Sequence, residues 1–386
     1  MKKVIFGTAL ASMALLSACS SDNELANVET TANNAIGFHV VGNKAETRAN
    51  IINTSEDIKS TDFNVFAFTR NEDGSDGAIF MGDKTDNVLG KKGIKINHTK
   101  GDWDYADKSD LHYWPQDTHL NFYAVNPATV EGDMQQTYNW SIEKDAKTIS
   151  YTSADEYGGS EVNYDVMYGI TKDQTLQTSN NGKVKFQFKH ILSQVVFKAK
   201  TALANMEVNI KEIKIHNFRL GGVFTLPTAD ATEGTWKLNA PAIPSTFTVV
   251  KDQNIDVTNT GADISVKTPM LFVPQQLSNP WQTNATTPKT KADADADHES
   301  YLEISCKIKQ AGVYVFGSES EYKTLYVPFG TTWEIGKCHI YTLIFGGGYN
   351  DQGQAILKPI NFEAETTKWE DDIKNNNNGN DINIDK

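Results

Sequence analysis

Few residues in this chain are arranged for covalent or metal chemistry, and the clearest is a cysteine near the start. Lys2 and Lys3 precede an apolar run from Val4 to Leu16, and Leu16-Ser17-Ala18-Cys19 closes it with small residues and a thiol. This is the pattern of a lipoprotein signal peptide over residues 1–19. The Cys19 sulfur would take a diacylglycerol before cleavage, after which the new amino group can be acylated. The apolar run is about a dozen residues against the ~20 that a helix needs to cross a bilayer, so a cleaved export segment is expected and not a span. Two or three acyl chains anchor firmly where one holds only marginally, so the mature chain is expected to be tethered to a membrane at Cys19. Residues 20–35 are polar and nearly free of large apolar side chains, which suits a flexible leash.

Asp293, Asp295 and Asp297 have the one-three-five spacing of a calcium loop, in which alternate carboxylates converge on one hard cation. The sixth position is His298 where that loop needs glycine, and the twelfth is Ile304 where it needs a bidentate glutamate. A solvated loop over Pro288–Glu299 is the better reading. None of the eight histidines has metal-ligand spacing; His190, after the alternating Val184, Phe186 and Phe188, reads as a hydrogen-bonded packing residue. There is no nucleophile elbow, no phosphate loop and no dinucleotide fingerprint. Gly346-Gly347-Gly348 fits a hairpin turn, where glycine supplies positive φ. No catalytic residue, metal or cofactor is therefore expected. Cys306 shares an apolar face with Leu302, Ile304 and Ile308 and reads as a buried free thiol; an exported compartment leaves a disulfide to Cys338 as the alternative. Trp114, Tyr123, Trp333 and Tyr341 could build a stacking platform for sugars, although their positions within or beside strands make core packing the first explanation.

The elements that would position these residues are almost all strands. The chain has 386 residues, enough for two domains, and a net charge of −13 with pI near 5.1, which argues against a nucleic-acid partner. Period-two alternation marks strands at Ile36–Val41, Phe63–Thr69, Ala78–Met81, Leu120–Val125, Thr148–Tyr151, Asp165–Ile170 and Lys183–Lys189. A second set follows at Val195–Lys200, Val208–Ile215, Gly222–Leu226, Phe247–Val250, Met270–Val273, Tyr301–Ile308, Val313–Phe316, Lys323–Val327, Ile340–Phe345 and Ile356–Phe362. Only a short turn around Asp107 to Leu111 and a two-turn piece near Thr366 to Ile373 fit a helix. The expectation is an all-β chain of two β-sandwiches, residues 36–182 and 183–372, divided at the polar break Gln177–Gly182, with a disordered tail at 373–386.

Several segments, taken in order, resemble the fimbrillin or Mfa-like family of Bacteroides-type pilus proteins. The first half carries Tyr113-Trp114-Pro115, Leu120-Asn121-Phe122-Tyr123-Ala124 and Tyr164-Asp165-Val166-Met167-Tyr168-Gly169. The junction carries Val184 to Phe197, and the end carries Leu325-Tyr326-Val327-Pro328, Trp333-Glu334-Ile335-Gly336-Lys337 and His339-Ile340-Tyr341-Thr342-Leu343. The resemblance implies two transthyretin-like Greek-key sandwiches and a precursor carried as a lipoprotein to the outer membrane surface. It also implies proteolysis after an arginine that follows the first strand, and assembly with other subunits by donor-strand exchange. Arg48, the first arginine of the chain, fits that cut before Ala49. Ile36, Phe38 and Val40 would then be the inward face of a removable edge strand that plugs the first sandwich. A donor strand is implied near the C-terminus, where Ala355–Trp369 is the one candidate, and a tip, an anchor or a non-polymerising member stays open beside a stalk subunit. The alternative function is an anchored, glycan-binding surface lipoprotein that does not polymerise.

Overall fold

The computed structural model describes residues 34–41, 58–83, 85–86, 90–128, 138–153, 164–228, 232–239, 245–264, 270–283, 287–357 and 361–368. The early strands are β1 (Gly37–Val41), β2 (Phe63–Arg70), β3 (Asp76–Met81), β4 (Ile94–Thr99), β5 (Asp102–Tyr105) and β6 (Leu120–Asn126). They are followed by β7 (Tyr138–Ile142), β8 (Lys147–Thr152), β9 (Met167–Gln174), β10 (Lys183–Gln187) and β11 (Lys189–His190). Then come β12 (Ser193–Thr201), β13 (Met206–His216), β14 (Gly221–Thr225), β15 (Thr235–Leu238), β16 (Thr246–Val250) and β17 (Ile255–Val257). Next are β18 (Ala262–Asp263), β19 (Met270–Phe272), β20 (Gln275–Leu277), helix α1 (Lys291–Ala296), β21 (Tyr301–Gln310) and β22 (Val313–Phe316). The last are β23 (Lys323–Pro328), β24 (Thr331–Trp333), β25 (Lys337–Phe345), β26 (Gly347–Tyr349), β27 (Ala355–Leu357) and β28 (Asn361–Lys368).

The protein is all-β, as its alternation predicts. A nine-stranded sheet runs β10-β1-β5-β4-β2-β6-β9-β11, with β3 on β2. β10 and β11 stand at the two ends of that order yet are separated in sequence only by Phe188, so one segment borders both margins and the sheet curls on itself. Strand β2 shows what this does to sequence. Phe63, Val65 and Ala67 point into a core with Phe38, Phe122 and Phe186, while Phe66 and Phe68 point into another with Tyr123, Trp140 and Ile149. A strand covered on both faces has no polar side to show. The second of these cores is closed by a four-stranded sheet, β15-β14-β8-β7. A third and larger core, containing Phe197, Ile210, Phe272, Ile304 and Leu343, fills the space between the sheet β18-β12-β25-β28 with β19 and the sheet β16-β13-β21-β23-β26-β27 with β17 and β22.

Most strands read from the alternation are present with small shifts at their ends, but Ile356–Phe362 falls across β27 and β28 in different sheets, Lys183–Lys189 divides into β10 and β11, and the partners differ from a simple two-halves plan. The break Gln177–Gly182 ends in a tight hairpin turn, with Asn181 and Gly182 both at positive φ and Asn180 and Lys183 exchanging backbone hydrogen bonds. Asn-Gly supplies that turn at little steric cost. β9 before it and β10 after it share the nine-stranded sheet, and β14 pairs with β8 along five residue pairs.

Two local expectations are corrected. Residues 291–296 within the presumed solvated loop form α1, opened by a reciprocal cap between Thr290 and Asp293 and seated by the fully buried Ala294. The helix piece expected at Thr366–Ile373 begins instead in strand β28, whose threonines favour extended backbone; its later residues lie outside the described ones. The short turn around Asp107–Leu111 is a 3-10 helix, Lys108–Asp110. No described helix is long and apolar enough to cross a membrane. The signal segment and the tail lie outside the described residues, as does the leash apart from Asn34 and Ala35.

Candidate functional site

Ile36, Phe38 and Val40 point inward, with 1%, 0% and 7% of their surface exposed, as their alternation with Gly37 and His39 requires. Phe38 packs edge-on to Phe63 at 6.4 Å and Tyr105 at 5.5 Å between ring centroids, and stacks on Phe186 at 6.4 Å. The backbone is tied at its start. Ile36 N–H donates to the His112 carbonyl and Gly37 N–H to the Gly182 carbonyl, each at 2.9 Å. The Tyr105 hydroxyl donates to the Ile36 carbonyl at 2.9 Å, and burial pushes its pKa up so that it remains a neutral donor.

β1 is not the free edge that the sequence suggests. On one side it runs parallel to β10 in continuous register from Gly37↔Lys183 to Val41↔Gln187. On the other it meets antiparallel β5 at one pair, Phe38↔Trp103. The missing neighbour was hidden because Asp102-Trp103-Asp104-Tyr105 alternates acid with aromatic and does not read as an apolar strand; Trp103 and Tyr105 are both buried. The seat of β1 is therefore a groove with two walls, one fully laddered and one touching at a single point. Arg48 and Ala49 lie outside the described residues, as does Cys19.

The C-terminal candidate Ala355–Trp369 is held within its own chain. β27 pairs with β26. β28 lies at the end of its sheet, paired to β25 from Lys337↔Lys368 to Ile344↔Asn361, with no partner on its other side among the described residues. Its described side chains are half-buried or exposed. Opposite Thr366 on the neighbouring β25, His339 is buried; its Nε2 accepts from Glu334 N–H at 2.9 Å and its Nδ1 lies 3.3 Å from the Thr366 hydroxyl of β28. An Nε2 that accepts leaves the proton on Nδ1, which then donates to Thr366. Burial lowers the pKa of His339, so the ring is neutral at pH 7.

The remaining chemical candidates are structural. Asp293 caps α1, Asp295 bonds Lys291 and Tyr301 at 2.7 Å each, and Asp297 bonds Lys289 at 2.8 Å. The three carboxylates thus face separate partners, and no cluster among the described residues could hold a metal. Cys306 and Cys338 are free and buried in different clusters, the first in the largest core and the second beside Val196 and Ile340. Burial raises both thiol pKa values, that of Cys338 to about 12, which leaves neither a nucleophile at neutral pH. His190 bonds Asp165 at 2.8 Å. Trp114, Tyr123, Trp333 and Tyr341 are all buried, so these four form no sugar-stacking surface.

Comparison with known proteins agrees with this architecture. The profile of the fimbrillin-like family matches residues 47–369. Over 183 residues the chain is 29% identical to the fimbrium subunit Fim1C of Phocaeicola vulgatus, a match that covers 45% of this chain and 46% of that relative. The chain thus spans about half the length of that curated relative. A fimbrial protein from Bacteroides vulgatus shares the fold with a TM-score of 0.54 at 18% identity, over 87% of this chain and 100% of that one.

Proposed function

The chain belongs to the fimbrillin-like family, and from that premise we propose that it is a structural or adhesive subunit of a cell-surface fimbria, made as an outer-membrane lipoprotein precursor anchored at Cys19. Proteolysis between Arg48 and Ala49 severs β1 and the anchor from the rest, and an extended segment of another fimbrial subunit takes the place of β1. The reading rests on one observation above the others: the face of β1 is repeated near the C-terminus. Ile36-Gly37-Phe38-His39-Val40 has its counterpart in Ile360-Asn361-Phe362-Glu363-Ala364, with apolar residues at the same three alternate positions.

The energetics favour replacement over simple loss. Burial of Ile36, Phe38 and Val40 contributes about 5–9 kcal/mol gross, so the cut alone does not expel β1. Once the covalent tie is gone, an incoming strand with the same alternation can displace it stepwise and restore both the apolar fill and the ladder against Lys183–Gln187. A segment drawn from β28 gives up one neighbour, β25, whereas the groove offers two. Ala364 is smaller than Val40, so the incoming face fills the far end less completely.

The test is processing. Surface material should contain high-mass fibres whose subunits begin at Ala49, and Arg48→Ala should leave lipid-anchored monomer beginning at Cys19. Fibres of normal length built from uncut Arg48→Ala chains would refute the exchange.

A further inference from the structure

Among the described residues the large apolar side chains left exposed are Leu111, Tyr113, Leu203, Val313 and Val315, and they are not scattered. Leu111 and Tyr113, the latter 55% exposed, sit on the loop that receives the start of β1: Ala35 bridges Tyr113, and Ile36 N–H bonds the carbonyl of His112 between them. Leu203 lies in the turn from β12 to β13, and Ala311 N–H donates to the Asn205 carbonyl in that turn at 2.8 Å. This brings up the hairpin arm of β22, where Val313 and Val315 share one face and Val313 is 67% exposed. Single exposed apolar residues are ordinary, whereas exposed apolar residues gathered into a contiguous patch mark contact surfaces.

The two groups stand at the two ends of the segment Lys183–Thr201, which starts opposite Gly37 and finishes two residues before Leu203. Each coincides with one half of the exchange. The Leu111–Tyr113 group borders the mouth of the β1 groove. At the Leu203 group, Asn361 pairs with Ile344, which pairs with Lys200, so β28 begins in the register row beside that turn. A strand released from β28 but still joined through Leu357 leaves from that corner. It would enter a neighbour's groove beside Tyr113, running in the same direction as β1.

We propose that the occupant of each group is a second copy of this chain, with Leu203, Val313 and Val315 of one copy seated on Leu111 and Tyr113 of the next. The contact is heterologous, so each copy offers one group to the copy before it and the other to the copy after it, which lets the contact repeat along a file. It rests on the strand-exchange reading for the identity of the neighbour, but it is a separate surface with its own readout.

Chains carrying Tyr113→Cys together with Val313→Cys, exported by the producing cells and briefly oxidised, are compared on a denaturing gel without reductant. The double variant should give a reductant-sensitive ladder reaching well past dimer, while either single variant stops at dimer. Fibres seen by electron microscopy without that ladder would overturn the contact and leave strand exchange standing; a ladder without fibres would do the reverse, and neither would remove both. As a second measurement, Val313→Asp with Val315→Asp should cut fibre number at least several-fold at an unchanged melting temperature, and unchanged fibre number would count against the surface.

Discussion

Asp76 of β3 and Lys147 of β8 join the nine-stranded sheet to the four-stranded one through a buried ion pair of 2.6 Å. Asn121 and the Tyr123 hydroxyl donate to the same carboxylate at 2.7 Å each, and the ammonium lies over the rings of Phe68 and Tyr123. Burial by itself raises the pKa of Asp76, but the bonds from Lys147, Tyr123 and Asn121 outweigh it and hold the carboxyl below its usual range. A depressed folded-state pKa means that this contribution is complete above roughly pH 4 and is lost as pH falls through the lowered value. Asp76→Asn should therefore cost about 3–5 kcal/mol in denaturant unfolding, because it strands a buried ammonium, and should flatten the acid limb of the stability curve. Nothing in the sequence announces this pair, since alternation assigns a face to a residue and not a partner. Cysteines are easier to read: the apolar neighbours of Cys306 already placed it in a core.

At the level of elements, alternation located most of the strands, but three that also carry a buried apolar face went unread. Ile94–Thr99, Asp102–Tyr105 and Tyr138–Ile142 are of that kind. Helix α1 went unread because Ala-Asp-Ala-Asp resembles a polar loop, although Thr290 three residues before Asp293 carries the capping signal. The candidate site was legible as a strand with Ile36, Phe38 and Val40 on one face, but not as a groove with two walls, since both walls come from distant sequence. The tie that holds β28 was equally hidden. The pKa of His339 is lowered in the folded chain, so its neutral ring stabilises the fold fully above its ordinary pKa of ~6.5, and that stability is lost as pH falls from there toward the lowered value. The protection of β28 amides, measured against their intrinsic exchange rate at each pH, should fall as pH drops below about 6.5, and His339→Gln, which keeps a donor and an acceptor, should remove that dependence.

For the molecule as a whole, the separation of cores predicts a local response to the loss of β1. The first core contains Phe38, Phe63, Trp103 and Phe186, whereas the largest holds no residue before Val195. A chain beginning at Ala49 should bind more of a hydrophobic dye than the full chain and exchange amides faster in β2, β5 and β10, while β12, β21 and β25 keep their protection. Equal dye binding by the two would mean that β1 does not fill a groove. The in-register pairing of β1 with β10 has a mechanical corollary. Any strand lying in that seat and tugged along its own length bears on all five rungs from Lys183 to Gln187 at once, so the load is shared in shear and not passed from rung to rung as in an opening zipper. A filament linked through such seats would stretch taut under flow before any one joint slipped.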